Sequence, residues 1–138
     1  MFYPAKFESA PEGGYVVTFR DIPEAITQGD TDAEAEEMAT DVLLSAMDFY
    51  FEDRRLVPMP SKPQEGERLI ALPASIWAKV LLLNELVAAR VSNSELARRL
   101  DTRPQDVQRI IDLGHVTKID TLARAFSVLG KHLEIRVV

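Results

Sequence analysis

The chain has 138 residues, enough for one domain or two small ones. It has no cysteine, which excludes disulfides, thiolate nucleophiles and cysteine-ligated metals. No segment is long and apolar enough to span a bilayer, and residues 1–4 lack the basic-then-apolar pattern of a signal peptide, so we expect a cytoplasmic protein without membrane contact.

The net charge of −6 is unevenly distributed along the chain. Residues 1–73 contain six basic and 15 acidic residues, a net charge of −9, whereas residues 74–138 contain ten basic and seven acidic residues, a net charge of +3. The basic half can meet phosphate, and the acidic half suits a basic partner. From charge alone, an ordinary solvated acidic surface is the commoner explanation.

The first half alternates apolar and polar residues in a way that predicts strands at 2–7, 15–19 and 25–28, with a glycine turn at 11–14. Thr31 and Glu34 form a predicted capping box, which should begin a helix reaching about Glu52. One face of this helix should be buried. Its apolar positions are Ala35, Met38, Ala39, Val42, Leu43, Ala46, Phe49 and Tyr50.

A loop or semi-rigid linker is predicted at 57–66, which holds three of the eight prolines. Residues 68–72 read as a fourth strand that returns to the first sheet, so the domain boundary falls near Pro73. Helices are predicted at 74–90, 93–100, 104–113 and 118–129, the last one stopped by Gly130. Residues 133–138 alternate as a strand, which needs a partner either in a second chain or in the first sheet.

The second and third of these helices indicate a helix-turn-helix, and they resemble the Cro/phage-repressor class. Ser92 or Asn93 should cap the first, and Pro104 suits the first turn of the second. Asp101 stands where that class usually has glycine, and Asp tolerates the left-handed conformation well. A helical hairpin that merely packs is the alternative. The expected DNA-binding residues are Ser92, Asn93, Arg103, Gln105, Asp106, Gln108, Arg109, Thr117 and Lys118.

Several segments of the first half resemble the HicB antitoxin family. They are residues 12–19, 21–23, 27–31, 34–35 and 48–52, and the resemblance continues through the helix-turn-helix. It implies an α+β protein: an N-terminal reduced ribonuclease H-like βββαβ domain at 1–73, followed by an all-helical helix-turn-helix domain at 74–138 with a C-terminal dimerisation strand. It also implies a HicA-type partner, a small basic toxin that degrades messenger RNA, and repression of the operon encoding the pair.

The two protein interfaces follow from these expectations. Tyr15 and Phe49 are assigned to the core, whereas Phe51 falls off the apolar stripe. The toxin-binding candidates are Glu36, Asp41, Asp48, Phe51 and Glu52. A homodimer or higher even oligomer should bind a palindromic operator. The dimerisation candidates are Trp77, Leu81, Leu133, Ile135 and Val137.

Two other functions remain open at this point. The chain can be a repressor of the same architecture whose first domain senses a small molecule or another protein. It can also be a nuclease, but that chemistry needs carboxylates converging on metal ions, including one in the first strand, and residues 2–7 contain none. His115 and His132 lack a second ligand at metal-binding spacing, so no metal or other cofactor is expected.

Overall fold

The computed structural model describes all residues from Met1 to Val138 and divides into two compact units. Unit 1 comprises Met1–Glu52 and Val57–Ala74, and unit 2 comprises Asp53–Leu56 and Ser75–Val138. The short segment Asp53–Leu56 therefore groups with the second unit. With this division, unit 1 has a net charge of −10 and unit 2 of +4.

Unit 1 is a four-stranded antiparallel sheet with one long helix. Its elements are β1 (Phe2–Ser9), β2 (Tyr15–Thr18), β3 (Ile26–Gly29), α1 (Asp32–Asp53) and β4 (Glu67–Ala71). The strands lie in the order β3-β2-β1-β4, so β4 returns beside β1 after the helix. Tyr3 pairs with Ile70, and Phe7 with Val17. The predicted element order β-β-β-α-β is confirmed.

One face of the sheet is buried with one face of α1. Tyr3 and Val17 are fully buried in the strands, as are Leu43 and Met47 in the helix. The prediction for two helical residues was wrong, since Met38 and Phe49 are exposed. Met47, which the apolar pattern did not select, is buried beside Leu43 and Tyr50, because these three residues are spaced at i, i+4 and i+7.

The start of α1 follows the predicted cap with one change. The N–H of Glu34 donates to Thr31 Oγ1 over 3.1 Å. The Glu34 carboxylate accepts from the N–H of Asp30 at 3.3 Å, one residue before the partner that a capping box uses. Gly29 lies against the backbone of Ala35, where any Cβ would overlap the first turn. The glycine therefore allows the close approach of β3 to α1.

The proline-rich segment 57–66 is an irregular but well-anchored part of unit 1. Val57 is buried, and the Tyr3 hydroxyl donates to the Pro58 carbonyl over 2.7 Å. The Ser61 N–H and hydroxyl donate to the Asp21 carboxylate over 2.8 Å and 2.5 Å. Of the two predicted alternatives, a loop or a semi-rigid linker, the segment is a loop, and these side-chain contacts hold it within the first unit.

Unit 2 contains four helices: α2 (Ala74–Ala89), α3 (Asn93–Leu100), α4 (Pro104–Ile110) and α5 (Ile119–Ser127). Buried residues lie on more than one face of α2, and they include Lys79. The core is aliphatic apart from one phenylalanine. Its largest members are Leu82, Leu86, Leu96, Leu100, Val107, Ile110, Leu122 and Phe126. No helix of the chain is long and apolar enough to cross a membrane.

The strand expected at 133–138 does not form in the single chain, and the segment does not join the sheet. Leu133 packs against the core of unit 2, whereas Ile135 and Val137 are 72% and 99% exposed. Unit 2 contains no strand, so it offers this backbone no partner. His132 lies in the same irregular segment.

Candidate functional site

A tight turn joins α3 to α4. The Ser92 hydroxyl accepts from the N–H of Glu95 over 3.1 Å and so caps α3. Asp101 has φ 54° and ψ 50°, the left-handed conformation predicted for it. The N–H of Thr102 then donates to the Ala97 carbonyl over 2.9 Å, closing the end of α3 before α4 begins at Pro104. This geometry confirms that Asp101 takes the position that glycine usually occupies.

Each of the two helices buries one apolar face. Leu96, Ala97 and Leu100 are buried on α3. Val107 and Ile110 are buried on α4, and Ile111 packs against the same cluster while remaining half-buried. Because Ala97 is small and nearly inaccessible, the helices approach each other closely at this point.

The outer face of α4 presents Gln105, Gln108 and Arg109 to solvent. Asp106 differs from them because it holds the start of the helix. Its carboxylate accepts from the Thr102 hydroxyl at 2.5 Å and from the N–H of Arg103 at 3.3 Å. The Thr102 and Arg103 hydrogen bonds lower the pKa of Asp106 to about 2, and the carboxylate also lies 3.5 Å from the Arg109 guanidinium.

Asn93 is half-buried at the start of α3, and its side-chain oxygen accepts a hydrogen bond from Arg54. A second nitrogen of the same guanidinium donates to the Val91 carbonyl over 2.6 Å. Arg54 has a left-handed backbone with φ 49°. Sequence analysis missed this contact, because nothing local in the chain connects residue 54 to residue 93.

The residues that follow α4 lie close to Arg109. Lys118 is exposed and directly precedes α5, and the Thr117 hydroxyl donates to the Arg109 carbonyl over 3.5 Å. These three residues and Arg124 line one pocket of about 550 Å³. The structure thus brings together the expected base-reading and phosphate-binding positions Arg109, Thr117 and Lys118.

The outward face of α1 is acidic, with two exposed apolar side chains. Asp41, Asp48 and Glu52 share this face by their i, i+7 and i+11 spacings. Glu36 is exposed but lies 3.9 Å from Arg68, on another flank, and Phe51 is half-buried. Phe49 is 54% exposed and joins the acidic face, as does Met38. We call Met38, Asp41, Ser45, Asp48, Phe49 and Glu52 the acidic face. The three-residue spacing from Phe49 to the acidic Glu52 was the signal that could have identified Phe49.

The expected dimerisation residues divide into two groups. Trp77, Leu81 and Leu133 are half-buried, and the two leucines pack against the unit 2 core. Ile135 and Val137 are exposed. These last two are the apolar side chains of the set with most surface to bury against another chain.

The carboxylates do not form a metal centre. β1 extends to Ser9 and so contains Glu8, which corrects the expectation that the first strand has no acidic residue. Glu8 is exposed and pairs with Lys6 over 2.6 Å. No group of three or more His, Asp or Glu side chains is arranged to hold a metal ion.

Comparison with known proteins identifies the family. Residues 2–81 match a family model described as the HicB-like antitoxin of bacterial toxin–antitoxin systems. The chain is 59% identical to Antitoxin HicB 2 of Photorhabdus laumondii subsp. laumondii, over 98% of this chain and 95% of that protein. It is 49% identical to Antitoxin HicB of Escherichia coli K12 over the whole of both chains. Antitoxin is a non-enzymatic role, and the chain belongs to the HicB-like antitoxin family.

Proposed function

We propose that this chain is a cytoplasmic antitoxin that neutralises a small basic, messenger-RNA-degrading toxin of the HicA type and represses its own operon. Unit 1, a reduced ribonuclease H-like fold, binds the toxin, and unit 2 binds the operator. The charges of the units, −10 and +4, suit these partners. The names of the relatives do not favour a repressor that senses a small molecule.

The polar, solvent-exposed face of α4 is the main support for the proposal that unit 2 binds DNA. In a helix-turn-helix the second helix enters the major groove, and Gln and Arg pair there with adenine and guanine edges. Gln105, Gln108 and Arg109 are exposed on this helix. Asp106, an expected contact residue, instead positions the helix through its bonds to Thr102 and Arg103.

The phosphate contacts surround this helix. Ser92 is exposed at the start of α3, and Arg103 at the start of α4 has a side chain that is 72% exposed. Thr117 and Lys118 follow α4 and line a pocket together with Arg109. Such contacts fix the register of the protein on the duplex, while base contacts supply specificity. Asn93 is assigned to the same edge, held there by Arg54.

Gel-shift titration against the chain's own operator and its single-base variants tests this half. Arg109→Ala should weaken binding by about 1–3 kcal/mol and relax specificity at one base position. Lys118→Ala should weaken binding to all sequences alike and flatten the salt dependence. Lys131→Ala, which removes the charge of another exposed lysine, is the matched control. Unchanged affinity in Arg109→Ala would remove that residue from the readout.

The acidic face is the main support for the proposal that unit 1 binds the toxin. Charge attracts a basic partner, and exposed apolar side chains such as Phe49 supply the buried contact that stabilises a specific interface. A variant combining Asp41→Asn with Glu52→Gln should bind the basic toxin more weakly, mostly at low salt. Phe49→Ala should weaken it at all salt concentrations. Glu12→Gln, at the hairpin, is the control. Wild-type toxin affinity in both variants would exclude this face.

Assembly is the third part of the proposal. Two repressor-type units bind half-sites about one helical turn, roughly 34 Å, apart. We assign this spacing to a dimer in which residues 133–138 of two chains pair antiparallel about a two-fold axis, with Trp77 and Leu81 beneath them. Deleting residues 133–138 should give monomers by light scattering and much weaker operator binding, with toxin binding intact. A truncated chain that stays dimeric would assign the interface to the helices.

A further inference from the structure

Lys79, in the middle of α2, is the one charged side chain buried in this protein, with 2% of its surface exposed. Lysine is almost never fully buried unless it is paired. Here the partners are three backbone carbonyls. Nζ donates to the carbonyls of Asp112 and His115 over 2.6 Å and to that of Arg109 over 3.3 Å.

The number of carbonyl acceptors around Lys79 indicates that its amine is protonated. An ammonium has three N–H donors and no acceptor, so three carbonyls match the protonated form. Burial lowers the pKa of Lys79, whereas the nearby Asp112 carboxylate opposes that change. No buried side-chain nitrogen or oxygen lacks a hydrogen-bond partner, and removing the ammonium would leave three carbonyls without this donor.

The three carbonyls lie at the end of α4 and in the loop after it. The last carbonyls of a helix have no partner within the helix, and a cation there interacts favourably with the helix dipole. Beyond Ile110 the loop is closed by two bonds to Asp112: its carboxylate accepts from Gly114 at 2.9 Å and its carbonyl from His115 at 3.1 Å. Lys79 therefore fixes both where α4 ends and the path of the loop.

That loop leads directly to the positions assigned to DNA. Arg109 is on α4, and Thr117 and Lys118 follow His115. We propose that Lys79 is a positioning residue for operator binding: its ammonium holds the end of α4 and the loop at 111–117 so that Arg109 and Lys118 engage one duplex together. This inference rests on the proposed operator binding. Lys79 itself does not contact DNA, since its ammonium is enclosed by carbonyls.

A double-mutant cycle on the full-length protein tests the coupling. The variants are Lys79→Met, Lys118→Ala and the pair, with Lys131→Met as an exposed control for the loss of one charge. Lys79→Met should lower operator affinity about tenfold, since residues in one network are coupled. It should also flatten the salt dependence to the extent that Lys118→Ala does. The double variant should show no further flattening, and Lys131→Met should bind like the wild type.

Hydrogen exchange supplies a measurement that does not depend on DNA. In Lys79→Met the amides of residues 112–117 should lose protection, while those of 96–100 in α3 keep it. If the Met variant does not fold, Lys79→Gln, which retains two donors, takes its place in the cycle. Additive effects of residues 79 and 118, or unchanged exchange in the loop, would overturn the role of Lys79. A wild-type protein that does not bind the operator would overturn the proposed function. Hydrogen exchange in the loop would then still measure whether Lys79 holds residues 112–117 in place.

Discussion

Replacing Ala97 with leucine should separate the two activities proposed for the protein, operator binding and toxin binding. Ala97 is 2% exposed at the crossing of α3 and α4, among Leu96, Leu100 and Val107. Ala97 is almost completely enclosed, and overpacking a filled core typically costs about 1–3 kcal/mol. In a unit of this size each kcal/mol lowers the melting temperature by about 4–8 °C. The helices must also move apart, which displaces α4 from the geometry that we propose for operator binding.

The assay combines a thermal melt, operator gel shifts below the melting temperature, and toxin capture. Ala97→Leu should melt earlier and lose most operator affinity, yet capture toxin like the wild type. Ala88→Leu, the same change at an exposed position of α2, is the matched control and should behave like the wild type in all three measurements. If Ala97→Leu melts and binds the operator as Ala88→Leu does, the helices are not closely packed at this residue and the reasoning fails.

Three further predictions concern stability. Asp101→Val should destabilise unit 2 by about 1–2 kcal/mol relative to Asp101→Gly, because an L-residue pays this cost in the left-handed conformation and glycine does not; urea unfolding measures the difference. Hydrogen bonds from Arg98 and Arg99 lower the pKa of Glu95 to about 2 from an ordinary value of 4.5. The stability that Glu95 contributes is therefore complete above pH 4.5 and is lost as the pH falls toward 2. Melts against pH should therefore show a shallower acid loss in Glu95→Gln but not in Glu134→Gln. Asp21→Ala should cost about 1–3 kcal/mol and expose residues 57–66 to proteolysis, since both bonds to Ser61 are lost.

Local signals predicted most of the elements. The Thr31 and Ser92 caps, Pro104 at the start of α4 and the left-handed Asp101 are each decided within a few residues of sequence. Such contacts depend only on backbone donors close in the chain, so their chemistry can be identified without knowing the fold. The four strands were found for the same reason, by alternation over short segments.

Which residues of α1 are buried was harder to predict, because more than half of the residues in this helix are apolar. Both Met38 and Phe49 fit a broad apolar stripe, but only a narrower one is buried, centred on Leu43 and Tyr50. Met47 completes that stripe. Where a helix carries surplus apolar residues, hydrophobicity does not indicate which of them face a partner. The acidic neighbours of Phe49 give the better indication, because acidic residues mark the side of the helix that faces solvent.

Contacts between distant residues could not be predicted at all. Arg54 reaches Asn93 and Lys79 reaches the end of α4, across 39 and more than 30 residues of sequence respectively. Both are side-chain cations that bind oxygen acceptors in another element. Neither contact produces a repeating pattern in the sequence from which it could be predicted. The sequence therefore indicated the surface residues of α4 assigned to DNA, but not the residues that hold them in place.

The C-terminal residues pose a different problem, because their pattern concerns more than one chain. Alternation at 133–138 is a sound signal for a strand, yet a strand is stable only when another strand satisfies its backbone. Unit 2 has none, and the segment is irregular. Ile135 and Val137 are left exposed. This unpaired apolar alternation is the basis of the dimer that we propose, because a second copy would bring both the missing hydrogen bonds and an apolar surface of the same size.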